Sequence, residues 1–338
     1  MNEESPDNMS ENEGVATSKN EKKLLPFNGW LSVLAGAIVG VLLRLVFIGS
    51  GTNPYTAMMG SFIYLSPILV GAVTVYIAER QARRTWSYYF LAPFIANILF
   101  VCGTLLIMIE GIICAILIVP LFGVLGGVSG LMMGAICRLT NWPKQAVYSV
   151  AVLPLLLGGF EQHLSLPTTI STVERFVVID ATPENIWRHL ENTDRIQPSE
   201  VESAWLYRIG VPMPQAGLTE HLGEGATRHV TMGKGIHFDQ VAIAWEPNRR
   251  VKWRYRFAAD SFPPHALDDH VRIGGEYFDL LDTEYSLTPQ DGKTELRVRM
   301  SYRVSTRFNW YARPIAELLI GNFEEVILNF YAQRAQAR

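Results

Sequence analysis

Asp279 is the side chain whose position could do acid–base chemistry. If 276–287 is a strand, Asp279 shares the inward parity of Tyr277 and Leu281. A carboxylate held among apolar groups has its pKa raised and can then act as an acid or base. A bulge after Gly274-Gly275 would turn it outward instead. His265, Asp268, Asp269 and His270 bring metal-capable groups together in a proline-containing stretch. Their spacing matches no established ligand pattern, so no metal site is expected. His221, His229 and His237 are scattered and read as structural. Glu110 would suggest a transport site in mid-membrane, but beside Gly111 it marks a turn and reads as a solvated carboxylate. The chain contains no nucleophile elbow, glycine-rich phosphate loop or zinc signature. An enzyme would use Asp279 or a histidine as its acid–base group, with Asp279 the named candidate; no cofactor is expected, and a binding module is expected before an enzyme.

The elements that must hold these groups change character near Leu166. Beyond it, Val251, Trp253, Tyr255 and Phe257 alternate with Arg250, Lys252, Arg254 and Arg256. Leu296, Val298, Met300, Tyr302 and Val304 likewise alternate with Glu295, Arg297, Arg299, Ser301 and Arg303. Each run reads as a strand with one buried and one wet face. Further strands are expected at Thr172–Asp180, Ser203–Arg208, Ala226–Met232, Ile236–Trp245 and Glu276–Leu287, joined by turn-rich links. Thr182-Pro183-Glu184 supplies a cap, a proline at the first helical position and an early acid, which start a helix. A last helix begins near Asn309; its stripe of Tyr311, Ile315, Leu319, Phe323, Val326 and Phe330 must lie on something. The basic residues of the two alternating strands should face Glu276, Asp282 and Glu284 on a strand between them. A solvated face of mixed sign is expected there, rather than a phosphate or anionic-lipid surface.

Ahead of Leu166 the chain is dominated by apolar runs. Crossing about 30 Å of hydrocarbon takes roughly 20 such residues. Trp30–Gly49 and Gly60–Ala78 qualify, Tyr88–Ile136 holds two spans meeting near Glu110-Gly111, and the shorter Ala146–Phe160 would bring the count to about five. Lys22, Lys23, Arg80, Arg83, Arg84, Arg138 and Lys144 mark alternate span ends, while Ser50–Ala57 and the Glu110 turn carry no Lys or Arg. The positive-inside bias then places the N-terminus on the cytoplasmic side of the membrane. Five crossings put the later domain outside the cytoplasm; if Ala146–Phe160 only lies against the membrane, the domain stays inside. Gly36 and Gly40, and Gly126, Gly130 and Gly134, recur four apart. That spacing serves close packing within one bundle, or a seam between copies in a homo-oligomer. Arg44 is expected to extend its head to the interface.

Three parts follow: a polar, acidic tail over 1–28 expected to be disordered, helices over 29–166, and a folded domain over 172–338. The 49% hydrophobic content and mean hydropathy of +0.15 average over two unlike halves. A net charge of −3 gives no reason to expect a nucleic-acid partner. Cys102, Cys114 and Cys137 all fall in apolar runs, so the later half has no disulfide framework.

Val177-Val178-Ile179-Asp180-Ala181-Thr182-Pro183-Glu184-Asn185-Ile186-Trp187 resembles the first strand and helix of the SRPBCC (START-like, helix-grip) superfamily, which includes polyketide cyclases and lipid-transfer proteins. Trp205-Leu206-Tyr207-Arg208-Ile209-Gly210-Val211-Pro212, Gly223-Glu224-Gly225-Ala226-Thr227-Arg228 and Phe262-Pro263-Pro264-His265 resemble a bacterial, membrane-anchored branch of it. The resemblance covers roughly the C-terminal half. It implies an α+β helix-grip domain, a curved antiparallel sheet around the long C-terminal helix, following the α-helical transmembrane bundle. It also implies an apolar pocket lined, by alternation, by Phe238, Trp253, Tyr255, Tyr277, Tyr285, Met300, Tyr302, Leu319 and Phe323. The implied function is capture of a membrane lipid or other hydrophobic small molecule beside the bilayer. The alternatives are a cyclase- or hydrolase-like enzyme on a hydrophobic substrate, and a structural or sensory protein with a filled core and a protein partner.

Overall fold

The apolar runs ahead of Leu166 fold as helices α1 (Phe27–Val46), α2 (Gly60–Gln81), α3 (Trp86–Leu106), α4 (Ile112–Leu139) and α5 (Lys144–Glu161) in a computed structural model describing residues 27–49, 55–140, 144–222 and 225–337. The expected disordered tail lies almost wholly outside the described residues, as do Gly223 and Glu224 of the quoted turn. Among the described residues, four helices rather than the expected five are long and apolar enough to cross a membrane: Gly29–Val46, α2, α3 and α4. The expected fifth falls in α5, whose apolar stretch is only Ala151–Glu161. Leu31, Leu34, Ile38, Leu42 and Leu45 form an exposed stripe on α1 at helical spacing, a surface that water would not tolerate at this extent. The glycines pack inside this bundle. Gly36 faces Thr74, Gly40 faces the Phe100 ring, and Gly71 meets the Gly126 backbone. Buried Asn97 lies over Gly126 and donates to the Pro93 carbonyl at 3.0 Å, so its amide hydrogen-bonds within the bundle.

Past Leu166 the elements are β1 (Thr168–Ile179), α6 (Pro183–Glu191), α7 (Pro198–Val201), α8 (Trp205–Arg208), β2 (Pro214–Leu222), β3 (Gly225–Met232), β4 (His237–Glu246), β5 (Arg250–Arg256), β6 (Phe278–Gln290), β7 (Lys293–Ser305) and α9 (Asn309–Gln336). The strands form one antiparallel sheet in the order β1-β7-β6-β5-β4-β3-β2, and α9 packs mainly on β1 and β7. The helix-starting signal works as read: Thr182 caps α6 by accepting from the Asn185 N–H, with Pro183 first in the helix. Ser203–Arg208 is not a strand. Its aromatic and aliphatic residues form α8, whose first N–H, that of Trp205, donates to Asn322 Oδ1 at 2.8 Å. The strand missing from the sequence reading is β2, where Pro214 and polar Gln215, Thr219, Glu220 and His221 are tolerated because it is a sheet edge. The mixed-sign face forms as expected, with Arg250 on Glu284 at 2.8 Å and Lys252 on Asp282 at 3.2 Å. Glu174 sits between Arg297 and Arg299, which hold its carboxyl below the usual range.

The domain docks on one end of the bundle. Glu161 accepts from the Gly60 and Ser61 N–H groups at 2.6 and 2.8 Å, capping α2, and pairs with Arg307 at 3.3 Å. Trp310 donates to the Tyr64 hydroxyl at 2.6 Å, and Tyr311 to the Leu117 carbonyl at 2.6 Å. Phe308 joins the bundle's own apolar core. The basic residues gather at the opposite end, where Arg138 donates to the Arg84 carbonyl and stacks on Trp86.

Candidate functional site: a cavity shared by bundle and sheet

A cavity of about 380 Å³ lies between the sheet, α9 and the docked end of the bundle. Phe62, Phe100 and Phe122 close it from the bundle side, and Leu319 and Phe323 of α9 from another. Seven residues of the alternation set line it: Phe238, Tyr255, Tyr277, Tyr285, Met300, Leu319 and Phe323. Two do not. Trp253 is buried at the end of the sheet filled by aromatics, edge-on to Trp245, which is edge-on to Trp187. Tyr302 is paired with Ser171 of β1, is fully buried, and packs on Phe278 rather than facing the cavity. Parity chose the right face for both, but α9 and α6 already cover those parts of it.

Asp279 is on the other face. The register of β6 shifts between Leu280 and Asp282, so Phe278 and Leu280 line the cavity before the bulge, and Thr283 and Tyr285 after it. The bulge thus lies after Asp279 and not at Gly274-Gly275. Asp279 instead accepts from the Gly274 N–H at 2.8 Å, and partial burial raises its pKa. His221, His229 and His237 are about half exposed and lie beside Glu191, Asp239 and Asp260 respectively, consistent with surface roles.

Polar groups inside the cavity are few. Tyr255 shares a 2.7 Å hydrogen bond with Thr283, and burial pushes its pKa up to about 12, so it stays a neutral hydroxyl. Burial also drives Tyr285 well above its ordinary value. Arg228 is the unusual member. It is 7% exposed, lines the cavity, and donates to the Tyr331 hydroxyl at 3.3 Å. Among the described residues its Nε has no partner and no carboxylate forms an ion pair with it. The head lies across Gly217 of β2, where any Cβ would collide with it. A buried guanidinium without an anion is costly. Its signal in the sequence is inward parity with Ala226 and Val230 on β3, a polar residue in an otherwise small and apolar series.

Arg44 and Glu110 also depart from expectation. Arg44 does not reach outward; it is 3% exposed and donates to Glu110 Oε1 at 2.6 Å and to the Phe47 carbonyl at 2.7 Å. Glu110 is therefore largely buried, not a solvated turn residue. Both line the cavity at the bundle junction.

No protein-family model matches the chain, and no curated protein sequence matches it. Solved structures resemble its C-terminal half. A START superfamily protein from Mycobacterium smegmatis is 13% identical with a TM-score of 0.34, covering 49% of this chain and 97% of that one. The Zhui aromatase/cyclase from Streptomyces sp. R1128 is 13% identical with a TM-score of 0.33, covering 50% and 94%. The di-domain ARO/CYC BexL is 13% identical with a TM-score of 0.31 over 61% of each chain. The sheet order and the long terminal helix carry the fold description here, because likeness at this level decides nothing about activity.

Proposed function

We propose that this chain is an integral membrane protein whose helix-grip domain, seated on its own helical bundle, holds an amphiphile with a long apolar body and an acidic head. The observation that supports this reading is the cavity itself, apolar on nearly every wall and completed by both halves of the chain. Its size falls within the roughly 300–1,000 Å³ of ordinary small-molecule sites. The apolar walls suit an acyl or polycyclic body, and Arg228 supplies the missing positive partner for a carboxylate or phosphate. Being next to the bilayer, the domain meets membrane-dissolved ligands at high effective concentration. The enzyme reading loses its named carboxylate candidate, because Asp279 faces away from the cavity. We place the domain on the side away from the cytoplasm. It caps the end of the bundle opposite Arg84 and Arg138, and α5 returns along α2 to that end, where Glu161 caps Gly60, so the basic end is the cytoplasmic one.

Native mass spectrometry of the full chain in mild detergent is the test. The expected result is a retained lipid-like mass of about one per chain. The variant Ala316→Trp, which puts a large ring where α9 faces the cavity, should lose it while unfolding at a similar temperature. A wild-type protein that retains nothing above detergent background would reject the proposal.

A further inference from the structure

Where the bundle meets the domain, Glu110, Cys114 and His270 each offer one donor atom, and the three atoms lie within 4.8 Å of one another. We infer that these residues form a binding site for a zinc-class divalent cation on the cavity wall. His270 Nδ1 is 3.8 Å from Cys114 Sγ and 3.8 Å from Glu110 Oε2. Tetrahedral zinc with bonds of 2.0–2.3 Å holds its ligand atoms roughly 3.3–3.6 Å apart, so a small closure brings the three into range. The same ring nitrogen approaches both partners. A proton relay from thiol through imidazole to carboxylate would need the two ring nitrogens to serve different partners. Convergence on one nitrogen is the geometry of a shared cation instead.

The surroundings fit that reading. Arg44 engages Glu110 Oε1, and its other nitrogens donate to the Phe47 and Ile109 carbonyls, which leaves Oε2 turned toward His270. Asp268 Oδ2 accepts the Cys114 N–H at 3.0 Å, fixing the first turn of α4, and its carboxylate fills the space a side chain at Gly111 would need. With Cys114 as thiolate, the two carboxylates and the sulfur carry three negative charges against the one positive charge of Arg44. A dication brings the cluster to neutrality. Thiolate, imidazole and carboxylate together suit zinc-class ions over magnesium or calcium. Glu110, Cys114 and His270 all line the cavity, so the remaining coordination position opens toward it.

The test uses full-length protein in detergent, stripped with chelator and delipidated, then titrated with Co²⁺ and Zn²⁺. About one equivalent of Co²⁺ should bind, with a thiolate-to-metal charge-transfer band in the near ultraviolet. Cys114→Ser should abolish the band, and His270→Ala should weaken binding at least tenfold. A Cys102→Ala/Cys137→Ala double variant should keep the band, which assigns the thiolate to Cys114, and Cys114→Ser should melt near the wild-type temperature of the metal-free protein. No stoichiometric binding to the wild type, or a band that survives Cys114→Ser, would overturn the site. The titration needs no lipid, so its failure leaves lipid retention standing, and the converse holds.

Discussion

Arg228→Met is expected to weaken binding of a long-chain carboxylate about ten- to a hundredfold while raising the melting temperature of the ligand-free protein. The two effects have one cause. A charge-assisted contact contributes about 1.5–3 kcal/mol, and each 1.4 kcal/mol is a factor of ten in affinity. Without a ligand, the same guanidinium is buried with one weak hydroxyl partner and no anion, so an apolar side chain of similar length removes a penalty. Isothermal titration of the full chain with a long-chain fatty acid, and with the matching alcohol, separates head from tail. The alcohol should bind wild type and variant alike. Equal loss for both ligands would mean that Arg228 only shapes the pocket, and unchanged acid binding would remove it from the site.

The second large effect is a fall in stability as pH rises, traced to Glu324. This residue of α9 is fully buried, and among the described residues no well-formed hydrogen bond reaches either carboxylate oxygen. Burial pushes its pKa from the ordinary 4.5 up to about 8, opposed by Arg175 and assisted by Glu174 and Glu325. The folded state therefore holds this proton more tightly than the unfolded chain does. The associated stability is fully present below about pH 4.5 and is lost progressively as pH rises to about 8. The loss is at most about 5 kcal/mol at 1.36 kcal/mol per pKa unit. Glu324→Gln should flatten that slope and raise the melting temperature at pH 9 relative to wild type. Parallel melting curves for the two proteins from pH 5 to 9 would refute the assignment.

What could be read from the chain was what repeats locally. The alternation through Val251–Tyr255 and Leu296–Val304 marks β5 and β7, because a pleated strand imposes a period of two on its own residues. The apolar runs mark α1 to α4 for a comparable reason. The failures are of another kind. The inward face of the edge strand β2 is made of small residues, Ala216 and Gly217, so Pro214–Leu222 carries no apolar alternation to detect. The single extra residue at the β6 bulge reverses parity for the start of the strand, Phe278–Leu280, which moves Asp279 out and Phe278 in. Trp253 and Tyr302 have the parity of cavity residues but lie under cover supplied by distant segments. The junction was hidden most completely. Cys114 and His270 are 156 positions apart, and no local pattern states which helix ends a sheet will sit on. A single inward arginine in β3 was the one visible sign of the binding chemistry.

The central claim is that one cavity is built jointly by the bundle and the domain and accepts an amphiphile. Photo-crosslinking full-length protein in nanodiscs with a fatty acid carrying a diazirine near the end of its chain, followed by peptide mapping, tests it most directly. Adducts should appear both on bundle residues such as Phe100 or Phe122 and on domain residues such as Tyr255 or Phe323, and should be displaced by excess unlabelled fatty acid. Adducts confined to the outward stripe of α1, insensitive to competitor, would contradict the account.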